Sequence, residues 1–262
     1  MNGAIVFSIG VLLAAILILA YLRVRRVPKQ IVLSHREVEQ ILTTRVDFFS
    51  ALKPADKQSF LSRVIFFLSK IKITPVGAAR ITDEDKVLVA AAGIIPIFRY
   101  KNWFYNNLSE VLLYPESFNT DFEPEGGSRN IIGMVGDGAM HRTMIISLPS
   151  LRRGFDHDGK TNTAIHEFIH LLDKADGATD GIPELILGDE NIRPWVKIMH
   201  QYLKTMRRES TDIDPYGATN ETEFFAVVSE YFFQQPEKLK EKHPELYAML
   251  EEAFENKGGS VA

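Results

Sequence analysis

Cysteine is absent from this chain of 262 residues. Its absence excludes disulfides, iron–sulfur clusters, thiolate metal ligands and a cysteine nucleophile. A transition-metal site in this protein must therefore be built from histidine and carboxylate side chains. The chain also lacks a Pro-, Gly- or Ser-rich linker between 35 and 255, and it shows no internal repeat. These absences predict a single globular domain over that range.

A basic excess is missing from the body of the chain. Four of the 30 Lys and Arg residues lie in 1–29, a stretch without acids, so 26 basic side chains face 34 acidic ones in the remainder, a balance of −8. Proteins that bind nucleic acid present a basic patch or stripe. We therefore expect no direct nucleic acid binding.

One motif in the chain carries chemistry. Residues 166–170 read HEFIH, an H-E-x-x-H pattern in an apolar, helical context. On a helix, residues four apart share a face, so both imidazoles can point at one metal ion while Glu167 reaches a water beside it. The pattern predicts one Zn²⁺ ion with His166 and His170 as ligands and Glu167 as general base. The alternative is an amphipathic helix with two incidental histidines.

A catalytic zinc ion needs a third protein ligand. The helical segment 220–235 places Glu223 and Glu230 on one face and is apolar on nearly every side, so its carboxylates need a metal ion or a strong partner. Glu223 is the first choice as ligand and Glu230 the second. As a non-ligand, Glu230 would accept a hydrogen bond from a ligand imidazole. Asp173 could orient an imidazole in the same way, or serve as a surface or capping residue.

Periodicity predicts a mostly helical α+β fold with a small mixed sheet. Helical spacing of apolar residues occurs before the motif at 35–51, 55–72 and 83–94, and after it at 193–208, 220–235 and 244–256. Short apolar runs between turn residues predict strands at Ile95–Phe98, Val111–Tyr114, Asn130–Val135 and Met144–Leu148. The last of these is either an exposed edge that could receive an extended peptide or an ordinary core strand.

The amino terminus predicts a membrane anchor. Residues 4–22 carry no charge, and nineteen helical residues span roughly 28 Å of hydrocarbon. Basic residues follow this run and none precedes it, which predicts a single-pass protein of the inner membrane with its domain on the cytoplasmic side. We accordingly divide the chain into an anchor with basic flank (1–27), a tether and start of the first helix (28–40), a metallopeptidase domain (41–256) and a flexible tail (257–262).

Several segments together resemble the Mlc titration factor family of bacterial zinc metallopeptidases. The similarity covers about 40–250 and is carried by HEFIHLLD at 166–173, the DG at 176–177, ITDEDKVLVAAAGIIPIF at 81–98, VLLYPESF at 111–118, MIISLPSLRRGF at 144–155 and YGATNETEFFAVVSEYFF at 216–233. The YGATNETEFFA stretch is also similar to the third-ligand region of anthrax lethal factor, a gluzincin. The predicted anchor departs from the best-known family members, which are soluble.

The resemblance implies a zincin-like domain and a set of roles. Glu223 would be the third zinc ligand, and Tyr216 would lie near the reacting carbonyl and donate a hydrogen bond to the oxyanion. It implies peptidase and aminopeptidase activity on a peptide or protein substrate, and a transcriptional regulator as a partner. The alternatives are a regulatory, repressor-binding protein with little turnover on a peptidase fold, and a zinc hydrolase that does not act on peptides.

Overall fold

The computed structural model describes residues 33–115, 133–135, 142–157 and 160–255. The chain divides into two compact units, Met1–Ser34 and His35–Ala262, and everything below concerns the second. Its α-helices are α1 (His35–Arg45), α2 (Asp47–Ala51), α3 (Pro54–Lys70), α4 (Asp83–Ile97), α5 (Leu148–Gly154), α6 (Thr163–Asp173), α7 (Glu184–Leu187), α8 (Asp189–Met206), α9 (Glu221–Gln234), α10 (Pro236–Lys242) and α11 (Pro244–Glu255). Short 3₁₀ turns occupy Lys174–Asp176 and Pro215–Ala218.

Four strands form one mixed sheet in the order β1-β2-β4-β3. The strands are β1 (Lys72–Pro75), β2 (Glu110–Tyr114), β3 (Gly133–Val135) and β4 (Thr143–Ser147). The pairs β1–β2 and β2–β4 are parallel, and β3 runs antiparallel to β4. The prediction of a mostly helical α+β fold with a small mixed sheet is confirmed.

Two local predictions are wrong, and one pair of alternatives is resolved. Ile95–Phe98 is not a strand, because α4 continues through it to Ile97; this helix is buried on nearly every side, and a short apolar run in such a helix looks like a buried strand. The predicted helix 55–72 extends two residues too far, because α3 stops at Lys70 and Lys72 begins β1, a strand that the sequence pattern does not predict. Of the two alternatives for the Met144–Leu148 run, the core strand is confirmed and the exposed edge is excluded, since β4 pairs with β2 on one side and β3 on the other.

The predicted location as a single-pass inner-membrane protein also requires correction. Within the ranges described above, no helix combines the length and the apolar character needed to cross a bilayer. The longest, α8, has 18 residues but begins with Asp189 and Glu190 and has a lysine in its last turn, so it is amphipathic. The segment 4–22, on which the prediction rested, lies outside the described residues.

Aromatic packing fixes the helix that carries the motif. Phe168 of α6 lies with its ring centroid 5.8 Å from that of Phe67 on α3 and 5.2 Å from that of Tyr105. A methyl group added at Gly93 of α4 would overlap both phenylalanine rings, so the backbone of α4 approaches them closely. The hydroxyl of Tyr105 donates to the Gly93 carbonyl at 2.8 Å. One face of α6 is thereby held in a rigid aromatic core.

An ion pair joins α4 to α5 at the start of α4. Thr82 and Asp85 form a capping box at this helix end, and Asp85, whose side chain is 2% exposed, also accepts two hydrogen bonds from the guanidinium of Arg152 at 2.8 and 2.9 Å. Burial alone would raise the pKa of Asp85, but the hydrogen bonds from Arg152 and Thr82 outweigh it and lower the pKa. The folded state therefore favours the ionised form of Asp85.

We expect Asp85→Asn to lower the free energy of unfolding by about 1.5–3 kcal/mol, the range for hydrogen bonds to charged groups. Since the folded pKa of Asp85 lies below its unfolded value of about 3.9, its contribution is present above that pH and is lost as the pH falls through the folded pKa. The variant should therefore lose part of the acid dependence of stability below about pH 4.

The matched control is Asp83→Asn on the same turn. Asp83 is 31% exposed and pairs only with Lys86 at 2.9 Å, so its loss should cost about 0.5 kcal/mol or less. Urea unfolding of both variants between pH 3 and 7 is the measurement. Equal stabilities of the two variants would contradict the role assigned to Asp85.

Candidate metal centre

The motif helix α6 begins at a well-formed cap. The Asn162 side chain accepts a hydrogen bond from the Ile165 amide at 3.2 Å, and its amide nitrogen donates to the Gly154 carbonyl at 2.8 Å. His166 and His170 then lie one turn apart on the same face, and Glu167 on the next face is 6% exposed. The apolar residues of the helix pack into the aromatic core, so the polar motif residues point away from it.

The second helix of the site, α9, brings two carboxylates to α6. It is capped by Asn220, which accepts from the Glu223 amide at 2.8 Å and places Glu223 in the first helical turn. Glu230 lies two turns further on and is 9% exposed. The helices α6 and α9 contact each other directly.

Three side-chain atoms converge on one point. The Nε2 atoms of His166 and His170 are 3.1 Å apart, and Glu223 Oε2 lies 3.1 Å from the first and 3.4 Å from the second. Ligands of a tetrahedral ion with bonds of about 2.0–2.1 Å are separated by roughly 3.3–3.4 Å. Two imidazole nitrogens and a carboxylate oxygen at this spacing can share a cation, and the set fits a divalent metal ion.

Glu230 supports the centre from behind His166. Its Oε2 lies 3.2 Å from His166 Nδ1, and its Oε1 accepts a hydrogen bond from the backbone N–H of Asn162. With Nδ1–H donated to a carboxylate, the imidazole would bind a metal ion through Nε2, the nitrogen on the side of the converging atoms. Glu230 therefore contacts Nδ1 of His166 and is not one of the three converging groups.

Electrostatics at the centre shift the pKa values of one histidine and two carboxylates. Burial would lower the pKa of His166, but hydrogen bonds to Glu223 and Glu230 outweigh it and hold the pKa well above its usual range. Burial would raise the pKa of Glu223, but its contacts with His166 and His170 hold it far below. Burial raises the pKa of Glu167 although the two histidines oppose the shift. Of Glu167 and Glu223, Glu167 is thus the carboxylate that takes up a proton more readily.

Tyr216 and Asp173 occupy different surroundings. Tyr216 lies in the 3₁₀ turn Pro215–Ala218, is 53% exposed, and has its ring centroid 6.1 Å from that of His166. Asp173 at the end of α6 is fully buried and accepts from the Gly181 amide at 3.0 Å through Oδ2. Burial raises the pKa of Asp173 to about 6. Its Oδ1 has no hydrogen-bond partner in the part of the chain that the structure describes, so Asp173 does not bond to a ligand imidazole there.

Sequence reasoning missed two residues at this centre. Asn162, which caps α6 and contacts Glu230, could have been found, because asparagine directly before a helical apolar pattern is a capping signal. Gly181 could not have been found from the sequence. It approaches the backbone of α9 closely, and no local sequence pattern reveals such a contact.

Comparison with known proteins identifies a metallopeptidase family. The chain matches the family described as glucose-regulated metallopeptidase M90 over residues 21–255. It is similar to a Synechocystis protein of uncharacterised function, with 30% identity and 82% of each chain covered. It is also similar to Mlc titration factor A of Pectobacterium atrosepticum, with 26% identity over 80% of this chain and 82% of that protein. Mlc titration factor A of Edwardsiella ictaluri is 27% identical over 78% and 81%.

The fold and the His/His/Glu cluster are those of a metallopeptidase-type protein. The chain belongs to the glucose-regulated metallopeptidase M90 family and is related in sequence to the Mlc titration factors A. The family predicted from the sequence is confirmed, whereas the similarity to lethal factor stays a prediction.

We expect Glu230→Gln to weaken the affinity for a divalent metal ion by about 10- to 100-fold, because residues that orient a metal-binding histidine have effects of this size. The measurement is competition for Zn²⁺ with a chromogenic chelator. Glu221→Gln is the control on the same helix, since Glu221 is 43% exposed and lies 3.8 Å from His200. Equal affinities of the two variants would contradict the role of Glu230.

Proposed function

We propose that this protein is a zinc-dependent peptidase whose metal ion is held by His166, His170 and Glu223. The proposal rests on the convergence of their three ligand atoms within 3.1–3.4 Å of one another. Zinc is favoured because histidine and carboxylate at tetrahedral spacing are its usual ligands in hydrolases. When bound, the ion would lower the pKa of a water molecule toward neutrality and polarise a substrate carbonyl.

Glu167 is the proposed general base. It follows His166 directly on α6, and burial has raised its pKa toward the range in which a carboxylate exchanges protons efficiently. It takes a proton from the attacking water and delivers it to the amine that leaves when the peptide bond breaks. Glu230 keeps His166 oriented throughout.

Tyr216 is the proposed hydrogen-bond donor to the oxyanion that forms on the substrate carbonyl. Two observations support this role: its ring lies beside His166, and more than half of its side chain is exposed, as a group that meets substrate must be. A donor directed at a developing oxyanion contributes mainly in the transition state, so its loss lowers kcat more than it raises KM.

Replacement of the base tests the proposed function. We expect Glu167→Gln to retain zinc and to lose at least about 100-fold of peptide cleavage, because a proton transfer by a positioned base contributes that much or more. Mass spectrometry of a defined peptide mixture incubated with each form measures cleavage, and metal analysis of the same samples measures zinc. The surface variant Glu237→Gln is the control. Cleavage by Glu167→Gln at the wild-type rate would refute the mechanism.

Replacement of the tyrosine tests the oxyanion role. We expect Tyr216→Phe to lower kcat by about 100- to 1,000-fold with zinc content unchanged. Tyr247→Phe is the control, since its hydroxyl only donates to Glu251 on the same helix at 3.0 Å. Steady-state kinetics on a cleaved peptide is the measurement, and an unchanged kcat would remove Tyr216 from the mechanism.

A second function is favoured by the names of the relatives, which are titration factors of Mlc. In this alternative the protein binds a transcriptional regulator and has little turnover. Wild type and Glu167→Gln together distinguish the two functions. If neither wild type nor Glu167→Gln cleaves peptides and both bind a purified Mlc-type repressor equally, the binding function replaces the peptidase function.

A further inference from the structure

The two helices that supply the converging ligand atoms are joined by a connector, defined here as residues 174–182. The connector follows Asp173, the last residue of α6, directly in sequence. In the folded protein it contacts the start of α9, although α9 begins much later in the chain, at Glu221. Glu223 lies 57 residues after His166, so the sequence between them does not by itself fix their separation. Contacts of the connector contribute to that separation, beside the direct contacts between the two helices.

Gly181 is the point at which the connector is fixed on both sides. Its amide donates to Asp173 Oδ2 at 3.0 Å, and its carbonyl accepts from the Trp195 indole at 2.7 Å. Both backbone polar groups of this buried residue are therefore satisfied by side chains that are themselves at most 1% exposed. The connector is held at Gly181 between the end of α6 and helix α8.

Gly181 also lies directly against α9. A methyl group at this position would overlap the Glu221 carbonyl and approach the Thr222 amide at 3.1 Å, and the φ angle of +75° is one that side chains rarely adopt. Beside it, the Thr222 hydroxyl donates to the Thr179 carbonyl at 3.2 Å. The connector thus contacts the first two residues of α9, and Glu223 is the third.

We propose that Asp173 and Gly181 are positioning residues that set the start of α9, and with it Glu223, relative to the helix carrying His166 and His170. The proposal rests on the metal centre proposed above. In this arrangement Asp173 acts as an oxygen acceptor for the Gly181 amide, not as a charge on a ligand imidazole. The second oxygen of Asp173 is buried and has no hydrogen-bond partner among the described residues. This agrees with a role that uses one oxygen only.

The first experiment compares two glycines of the connector. Gly181 and Gly177 both have left-handed backbones, with φ of +75° and +100°, but nothing lies within 4 Å of a methyl group at Gly177. Gly181→Ala and Gly177→Ala therefore impose a similar backbone strain, and only the first displaces α9. We expect the Zn²⁺ affinity of the full chain, measured by chelator competition, to fall at least 10-fold in Gly181→Ala and less than 2-fold in Gly177→Ala.

The second experiment separates acceptor from charge at Asp173. Asp173→Asn keeps an oxygen that can accept from Gly181, and we expect its Zn²⁺ affinity to stay within about 3-fold of wild type; Asp173→Ala removes the acceptor, and we expect a loss of at least 10-fold. Equal losses in both variants would show a charge effect and overturn the proposal. Unchanged affinity in Asp173→Ala would do the same.

The outcomes also separate this proposal from the function on which it rests. If the wild type binds no Zn²⁺, the proposed metal centre fails. If it binds Zn²⁺ and both glycine variants behave alike, only the positioning role fails. Should Gly181→Ala not fold, as judged by circular dichroism, the Asp173 pair decides, since Asp173→Asn retains the contact that holds the connector.

Discussion

The buried carboxylate of Glu230 is the group on which the rest of the centre depends. One oxygen faces the ring of His166 and the other accepts from the backbone at the start of α6. A carboxylate in this position is costly to bury unless both oxygens are occupied, and here both partners come from a helix 64 to 68 residues earlier in the chain. One side chain of α9 is therefore tied both to the orientation of His166 and to the start of α6.

One side of α6 packs into the aromatic core, and another side carries the polar centre. Phe168 fixes one side of the helix against α3 and the Tyr105 segment, and the approach of α4 at Gly93 leaves no room for adjustment. The other side presents two histidines to α9. Because α6 cannot move without disturbing the aromatic packing, the histidines have a rigid base, and the spacing of the three converging atoms depends mainly on where α9 and Glu223 are placed.

Much of this arrangement could be predicted from the sequence, and the reasons differ between residues. The spacing of His166 and His170 fixes their common face on any helix, and the apolar surroundings of Glu223 and Glu230 predict that both carboxylates are buried and partnered. The sequence pattern does not reveal the strand Lys72–Pro75, which has only four residues of mixed polarity, and it does not distinguish the end of α4 from a strand, since a short apolar run fits either. The close contact between Gly181 and α9 is non-local and leaves no periodic signal.

The separation of the two contributing helices along the chain has a consequence for biosynthesis. Helix α6 is complete at Asp173, but Glu223 and Glu230 follow 50 or more residues later, after α7 and α8. A chain is elongated at about 5–20 residues per second, so several seconds separate the emergence of the histidines from that of their carboxylate partners. During that interval the nascent chain carries the motif without the groups that complete it. A centre assembled from distant segments is in this way kept incomplete until almost the whole domain has left the ribosome.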